Sequence, residues 1–503
     1  MAALNDIARK GRRAEGHHPW PRTVVTSDGW KLLAQQLADA RATMLGLWGD
    51  RNAVHLALIE EPSSEVAVFT LECPGGKFPS IAALHPPAIR LERTISDLYG
   101  LKPVGQRDGR PWLDLGFWGI AHPLGRQKKS GKPGPYNFLP VEGEGLHQIP
   151  VGPVHAGIIE PGHFRFTANG EAVVRLEQRL GYVHKGIEFL MAGASIGTGA
   201  KLAGRTSGDS TVAYAFAFAQ AVEAALRIEV PPRALWLRAL MAELERIANH
   251  FGDIGAICND ASFSLMYAEC GILRERTLRA AKACFGHRLM MDRIVPGGVT
   301  ADLSADGIAQ LHTLVKIVRR RFPELVELYD NTASLQERTV TTGYLAPALA
   351  RTFGAGGYVG RGSGRAFDAR AAVPYAPFGE LDFEVPVRKD GDVNARVWIR
   401  IREVEQSLRL IEQILERLPA GEPRAKLGKT GGMGEGVGLV EGFRGDILVT
   451  ARIGDDGKIE RCHLRDPSWF QWPLLEAAIE GNIVADFPLC NKSFNCSYSG
   501  HDL

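Results

Sequence analysis

Residues 205–210 read RTSGDS: two serines three positions apart, separated by Gly-Asp, running straight into the apolar stretch TVAYAFAFAQAVEAAL. Hydroxyl and carboxylate oxygens in such a loop can cap a helix, cradle an anion or supply a nucleophile. Asp209 or Ser210 is placed to accept from the free amides of a helix starting near Thr211. No nucleophile-elbow pattern surrounds either serine, which argues against hydrolase chemistry. Two further stretches concentrate groups that titrate. VGPVHAGIIEPGHFRF (151–166) sets His155, Glu160, His163 and Arg165 into a Gly/Pro-punctuated hairpin, and LGYVHKGIE adds His184, Lys185 and Glu188. Lone histidines are mostly satisfied core or surface groups, but three histidines and two glutamates within 34 residues, framed by glycines, point to a functional loop. ELERIANH carries Glu243, Arg246 and His250 on a largely apolar helix. That spacing makes either a structural ion-pair set or a proton- or redox-linked group with shifted pKa values.

The elements that must position these residues follow from periodicity. Residues 20–120 alternate strand-like runs, VHLALIE (54–60) and EVAVFTL (65–71), with the helical pattern RLERTISDLYG (90–100). GRQKKSGKPGPYNFLPVEGEG (125–145) has the composition of a linker. The reading is α+β: a small N-terminal α+β domain over 1–125, a linker over 126–149, and over 150–503 a mainly helical bundle with small β elements. Helices are predicted over 233–250, 269–291 and 401–418, and a buried helix over 212–226. GDILVTARIGDDGKIERCHLR (445–465) reads as two strands around a Gly-Asp-Asp-Gly turn. GAGGYVGRGSGR (354–365) lacks the G-x-G-x-x-G spacing, and GKTGGMGEGVG (428–438) has Pro423 where a Walker A loop needs glycine. Both are read as flexible or close-packing loops.

Composition bounds the class. The 503 residues carry 59 Lys+Arg against 57 Asp+Glu, so no basic surface for nucleic acid is indicated. The seven cysteines (73, 258, 270, 284, 462, 490, 496) show no CxxC and no zinc or iron–sulfur spacing, which suits a reduced intracellular compartment. The N-terminus has no apolar h-region, so no secretory signal is expected. No window approaches the roughly 18 apolar residues of a membrane span.

Taken in order, VGPVHAGIIEPGHFRF, LGYVHKGIE, RTSGDS, ELERIANHFGDI, EGFRGD and the ending SFNCSYSGHDL resemble the large subunit of membrane-bound, energy-converting nickel–iron hydrogenases of the formate hydrogenlyase type. They also resemble the homologous quinone-site subunit of respiratory complex I. The N-terminal region, with RLERTISDLYG, is similar to the smaller complex I subunit fused ahead of it. In the hydrogenases, R-x-C-G-x-C and D-P-C-x-x-C segments supply four thiolates to nickel and iron. Here the resemblance places Ser207, Ser210, Cys496 and Ser499 at those positions, leaving one thiolate of four beside Arg205 and Gly208. Serine is a poor ligand for these metals, so no metal is expected on this chain. The resemblance also implies a C-terminal extension that the hydrogenases lose once nickel is inserted, and a chain ending at SGHDL is expected to be built without nickel maturation.

The complex I resemblance assigns a quinone-contacting histidine to His163, with His155 the near second, but puts Gly208 where that family has a tyrosine. The chain is therefore expected to be the large peripheral-arm subunit of a complex I-like or hydrogenase-like oxidoreductase, coupling electron transfer to membrane ion translocation. Its catalytic cavity would use His163 as proton donor and an Arg205–Asp209 ion pair to shape the pocket. Alternatives are a catalytically inactive coupling module or a quinone-reducing subunit. Implied partners are a small iron–sulfur subunit, ferredoxin-like subunits and antiporter-like membrane proteins. The implied cofactors are a cluster held by the partner and a quinone. The implied location is the cytoplasmic face of the inner membrane.

Overall fold

The computed structural model describes residues 4–125, 131–156, 159–425 and 433–503. The linker residues 126–130 and the GKTGG segment at 428–432 lie outside the described residues. Near the N-terminus, Thr43–Asp50, Ala53–Glu60 and Glu65–Glu72 form an antiparallel meander, which Arg22–Val24 and Arg12–Ala14 extend into a five-stranded sheet. The six interior residues of Ala53–Glu60 are all buried, so this strand is covered on both faces. Helix Ile89–Tyr99 ends at Gly100, whose left-handed φ of 73° lets its amide return to Ser96 O.

The region read as a linker already contains a strand. Leu146–Val151 pairs with His163–Asn169, which pairs with Ala172–Arg179. Period-2 alternation sends Phe164 and Phe166 into the core and leaves His163 and Arg165 on the other face. Five long helices follow: Thr211–Leu226, Pro232–Asp260, Ser264–Phe285, Ala305–Asn331 and Val393–Arg417. The third stops at Phe285, short of the predicted end, because Gly286 takes φ 75° and closes the last turn. Helix Val393–Arg417 starts eight residues before the predicted onset because Asp392 caps it, accepting from Ala395 N at 2.7 Å.

Gly445–Ile453 and Ile459–Arg465 form the predicted hairpin, completed by Gly434–Gly442 and, in parallel, by His17–His18 from the N-terminal region. The glycines of GEGVG have a packing reason. A Cβ on Gly434, Gly436 or Gly438 would fall 2.1, 1.9 or 2.1 Å from the carbonyl oxygens of Ala225, Ala221 and Ala217. The buried helix Thr211–Leu226 therefore lies with its backbone against the strand. Gly357, at φ 58°, and Gly360 serve the same end around the turn at Arg444 and at Ala355. The glycines at 434–438 and 357–360 thus serve close packing, as expected, but within a strand and a helix. No helix among the described residues is long and apolar enough to cross a membrane.

Candidate functional site

Four segments far apart in sequence meet at the RTSGDS loop. Ser207 Oγ lies 2.9 Å from Ser497 Oγ, and both residues are buried. Ser207 also donates to Asp209 Oδ1 at 2.8 Å. Arg444, in the turn between the strands Gly434–Gly442 and Gly445–Ile453, grips both Asp209 oxygens at 2.8 and 2.6 Å. The same guanidinium donates to Ser210 Oγ at 3.3 Å and to Asn495 O. One cation thus ties the loop to the C-terminal segment. Burial alone would raise the Asp209 pKa, but Arg444 and the Ser207 hydroxyl hold it below the usual carboxylate range. From below, Asn249 donates to Asp209 O at 2.8 Å, and Lys185 Nζ donates to Arg205 O and Thr206 O at 3.0 and 2.6 Å.

Two expectations about the loop are corrected. Arg205 does not pair with Asp209: it makes a two-pronged bridge to Asp292 at 2.6 and 2.8 Å on the exposed side, because its side chain leaves the loop in the opposite direction. Nor does Asp209 or Ser210 cap the helix. Ser210 makes no side-chain cap bond, and Glu245 of the next helix accepts from Val212 N and Ala213 N at 2.7 and 3.1 Å. Burial raises the Glu245 carboxyl to about 8, against those two amides.

The C-terminal residues fall one position out of the expected register. Cys496 turns its sulfur toward Gln471 Oε1, 4.0 Å away. Ser497 faces the loop instead, and at the matching three-residue spacing stands Gly500, where a Cβ would come 2.4 Å from Asp466 Oδ2. Asp466 in turn accepts from Tyr214 Oη at 2.6 Å. The backbone of Ser499 donates to Glu160 Oε2 at 3.0 Å, so the carboxylate of the first hairpin closes over the same site.

Of the histidines, His155 touches this assembly, its Nε2 3.3 Å from Tyr498 Oη. His163 is held inside its own hairpin: Nδ1 lies 3.2 Å from Gly152 O, and Nε2 accepts from Arg165 Nε at 3.3 Å. With a carbonyl on one nitrogen and a guanidinium donor on the other, the ring is neutral; its pKa is lowered, first by burial. Both ring nitrogens are thus taken up inside the hairpin, which leaves none to pass a proton to the site. His184 stacks on Trp118 at 4.2 Å, with Nδ1 2.7 Å from Asp502 O. Glu188 is buried between Arg461 and His463, at 2.9 and 2.6 Å. Glu243, Arg246 and His250 lie in a fully buried ionic cluster: Arg246 Nε reaches Glu243 at 3.3 Å and His250 Nε2 reaches Glu403 at 2.7 Å. No group of three or more His, Cys, Asp or Glu among the described residues is arranged to hold a metal ion.

Sequence reasoning missed Arg444 and Ser497. The signal for Arg444 was present in EGFRGD, a glycine-flanked turn with an arginine between two acids. Ser497 was hidden by its neighbour, since a cysteine draws the eye to position 496.

A chain with this geometry has many relatives. It is 33% identical over 438 residues to formate hydrogenlyase subunit 5 of Escherichia coli (strain K12), covering 85% of this chain and 77% of that protein. It is 30% identical to hydrogenase-4 component G of the same organism, over 94% of this chain and 84% of that one. The chain belongs to the family of hydrogenase and complex I large subunits. It is also 32% identical to an NADH-quinone oxidoreductase component from Desulfotalea psychrophila, covering 67% of this chain and 91% of that protein. The family described as respiratory-chain NADH dehydrogenase, 49 Kd subunit, matches residues 261–431. Among solved structures, a chain of the membrane-bound sulfane sulfur reductase, an archaeal respiratory membrane complex, superposes with a TM-score of 0.68 at 26% identity, covering 73% of this chain and all of that one. The α+β fold and the resemblance read from the motifs are thereby established.

Proposed function

We propose that this chain is the large peripheral-arm subunit of a membrane-associated, complex I-like oxidoreductase, and that it works without a nickel–iron centre. The observation that carries the second part is the Ser207–Ser497 contact at 2.9 Å. The side chains facing each other between loop and C-terminus are hydroxyls, with Gly500 at the second C-terminal position. A serine alkoxide forms far above neutral pH, and oxygen donors suit hard cations rather than nickel or low-valent iron. The cysteine beside them is directed away, and burial raises its thiol pKa so that it stays protonated. Asp209 and Arg444 already satisfy the loop by a salt bridge. These residues do not fit a thiolate-held metal pair.

The relatives' names support the setting: formate hydrogenlyase, hydrogenase-4 and NADH-quinone oxidoreductase. The sulfane sulfur reductase neighbour supports a reaction other than hydrogen turnover on this fold. In this reading electrons come from an iron–sulfur cluster in a small partner subunit, further ferredoxin-like subunits feed that cluster, and antiporter-like membrane subunits hold the assembly at the cytoplasmic face of the inner membrane. A quinone is the acceptor class that the complex I relatives suggest. Protons at the site would come from Glu160 or His155, which touch the C-terminal segment, in place of His163. The test is elemental analysis of the complex purified from its native membrane, with identification of what co-purifies. Substoichiometric nickel is the expected result; one nickel per chain overturns the proposal.

A further inference from the structure

Behind the loop, four elements enclose a group of ionisable side chains, each at most 3% exposed. Helix Pro232–Asp260 supplies Glu243, Arg246 and His250, and helix Val393–Arg417 supplies Glu403. The segment 361–370 supplies Arg361, Asp368 and Arg370, and strand Gly434–Gly442 supplies Glu441. Arg361 alone serves three carboxylates: Glu403 at 2.6 Å, Glu441 at 2.9 Å and Asp368 at 3.4 Å. Arg370 bridges Asp368 and Glu243 at 2.7 and 2.8 Å. Arg246 reaches Glu243 at 3.3 Å and Glu403 at 3.9 Å.

Four carboxylates (243, 368, 403, 441) face three guanidiniums (246, 361, 370), which leaves one negative charge in excess. The charged groups on the surrounding elements do not remove it. Asp253 is taken by Arg400, Asp209 by Arg444, Asp446 by Arg465 and Glu61 by Arg365. Arg396 spends its donors on Gly343 O, Gly391 O and Ser493 Oγ, and Glu245 caps the helix Thr211–Leu226. Tyr375 Oη accepts from Glu441 N. An unpaired charge at this depth is costly, and a bound proton removes it.

Two seats are available, His250 and Glu441. His250 Nε2 lies 2.7 Å from Glu403, while its Nδ1 is buried with no partner. A cationic ring would leave an N–H donor stranded there; the neutral ring leaves only a lone pair, the cheaper of the two. Glu441 instead shares Arg361, on Oε1, with two other acids, and its Oε2 accepts from the uncharged Ala369 amide at 2.9 Å.

We propose that this cluster is a proton-binding site that carries one exchangeable proton on Glu441, three residues along the chain from the Arg444 that anchors the site. Burial and the neighbouring Asp368 push the Glu441 carboxyl up to about 7, so the proton exchanges around neutral pH. Such a proton site is independent of the reaction proposed above.

The test is infrared spectroscopy of the purified full-length chain. Glu245, raised to about 8, gives a carbonyl band of its own, so the readout is a difference spectrum: at slightly acid pH, wild type minus Glu441→Gln is expected to show a carboxylic-acid carbonyl component that titrates away near neutrality. Asp368→Asn, which keeps Glu441 but removes the excess charge, should also lose that component by letting Glu441 ionise. If Glu441→Gln does not fold, the wild-type minus Asp368→Asn difference spectrum carries the test. Loss of carboxylate rather than carboxylic-acid intensity in Glu441→Gln overturns the proposal. So does an imidazolium signal from His250 by NMR in the neutral wild-type protein, or a wild-type minus Asp368→Asn difference spectrum with no carboxylic-acid component.

Discussion

Replacing Glu188 by Gln removes the charge that holds helix Ile187–Met191 to the strand Ile459–Arg465. The carboxylate is 4% exposed, so solvent does not screen it. It accepts from His463 Nδ1 at 2.6 Å and pairs with Arg461 at 2.9 Å. Burial alone would raise its pKa, but Arg461 and His463 outweigh that and bring it from 4.5 down to about 2. A carboxyl with such a depressed pKa contributes about 3 kcal/mol at neutral pH. Breaking a buried pair by removing one partner costs about 3–5 kcal/mol, an independent route to the same size. The sign follows from the depressed value: the contribution is complete above the unfolded pKa of 4.5 and is lost as pH falls from there toward 2. Urea denaturation read by tryptophan fluorescence measures it. Trp48 is stacked between His55 and His463, with ring centroids 5.4 and 5.3 Å away, and reports locally. Glu188→Gln should lose about 3 kcal/mol at pH 7, and the difference from wild type should shrink below about pH 4. A variant within about 1 kcal/mol of wild type, the range of an exposed pair, would refute the reasoning.

The remaining predictions concern the register of the site and the packing beneath it. In the Ser207→Cys, Ser497→Cys double variant, the two new thiols should form a disulfide under mild oxidation, read by peptide mass spectrometry. Coupling of position 207 to the native Cys496 instead would show that the C-terminal register is wrong. Gly436→Ala places a methyl 1.9 Å from Ala221 O and must push the helix Thr211–Leu226 off the sheet. It should cost about 3 kcal/mol or more and lower the melting temperature; an unchanged melt would mean that the helix is not held by its backbone. Gly208→Tyr restores the residue type that the complex I resemblance places there, and nothing lies within 4 Å of a Cβ at this position. It should therefore fold normally, and a destabilised variant would show that the loop is closed to a side chain.

Much of the fold was legible because local pattern and tertiary need agree. The strand-like run VHLALIE, the Gly-Asp-Asp-Gly turn and the 3.6-residue period after Pro231-Pro232 each became the element they announced, although that helix runs on to Asp260 rather than ending at 250. Helix ends were read less well. Gly286 stops one helix early through a left-handed φ, and Asp392 starts another early; single residues of this kind weigh little in a window average. The linker composition concealed a strand because Leu146–Val151 has little apolar alternation of its own and is recruited by the hairpin beside it.

The sequence by itself determined the family and the chemical types at the site. Motif order and glycine spacing are properties of the chain, and so are Ser207 and Ser210 where the resemblance calls for thiolates, whereas the C-terminal pair was read one position off. Only the tertiary structure decided which groups meet. Charge pairing depends on side-chain direction as well as on nearness in sequence. Arg205 therefore turns out to Asp292, while Asp209 finds Arg444 from 235 residues away. Capping of the apolar helix passed to Glu245, because a buried carboxyl group from the neighbouring helix reaches the free amides better than the loop's own residues do. The excess charge around Arg361 was likewise invisible in a chain whose overall balance is +2, since it arises from which four acids the fold buries together.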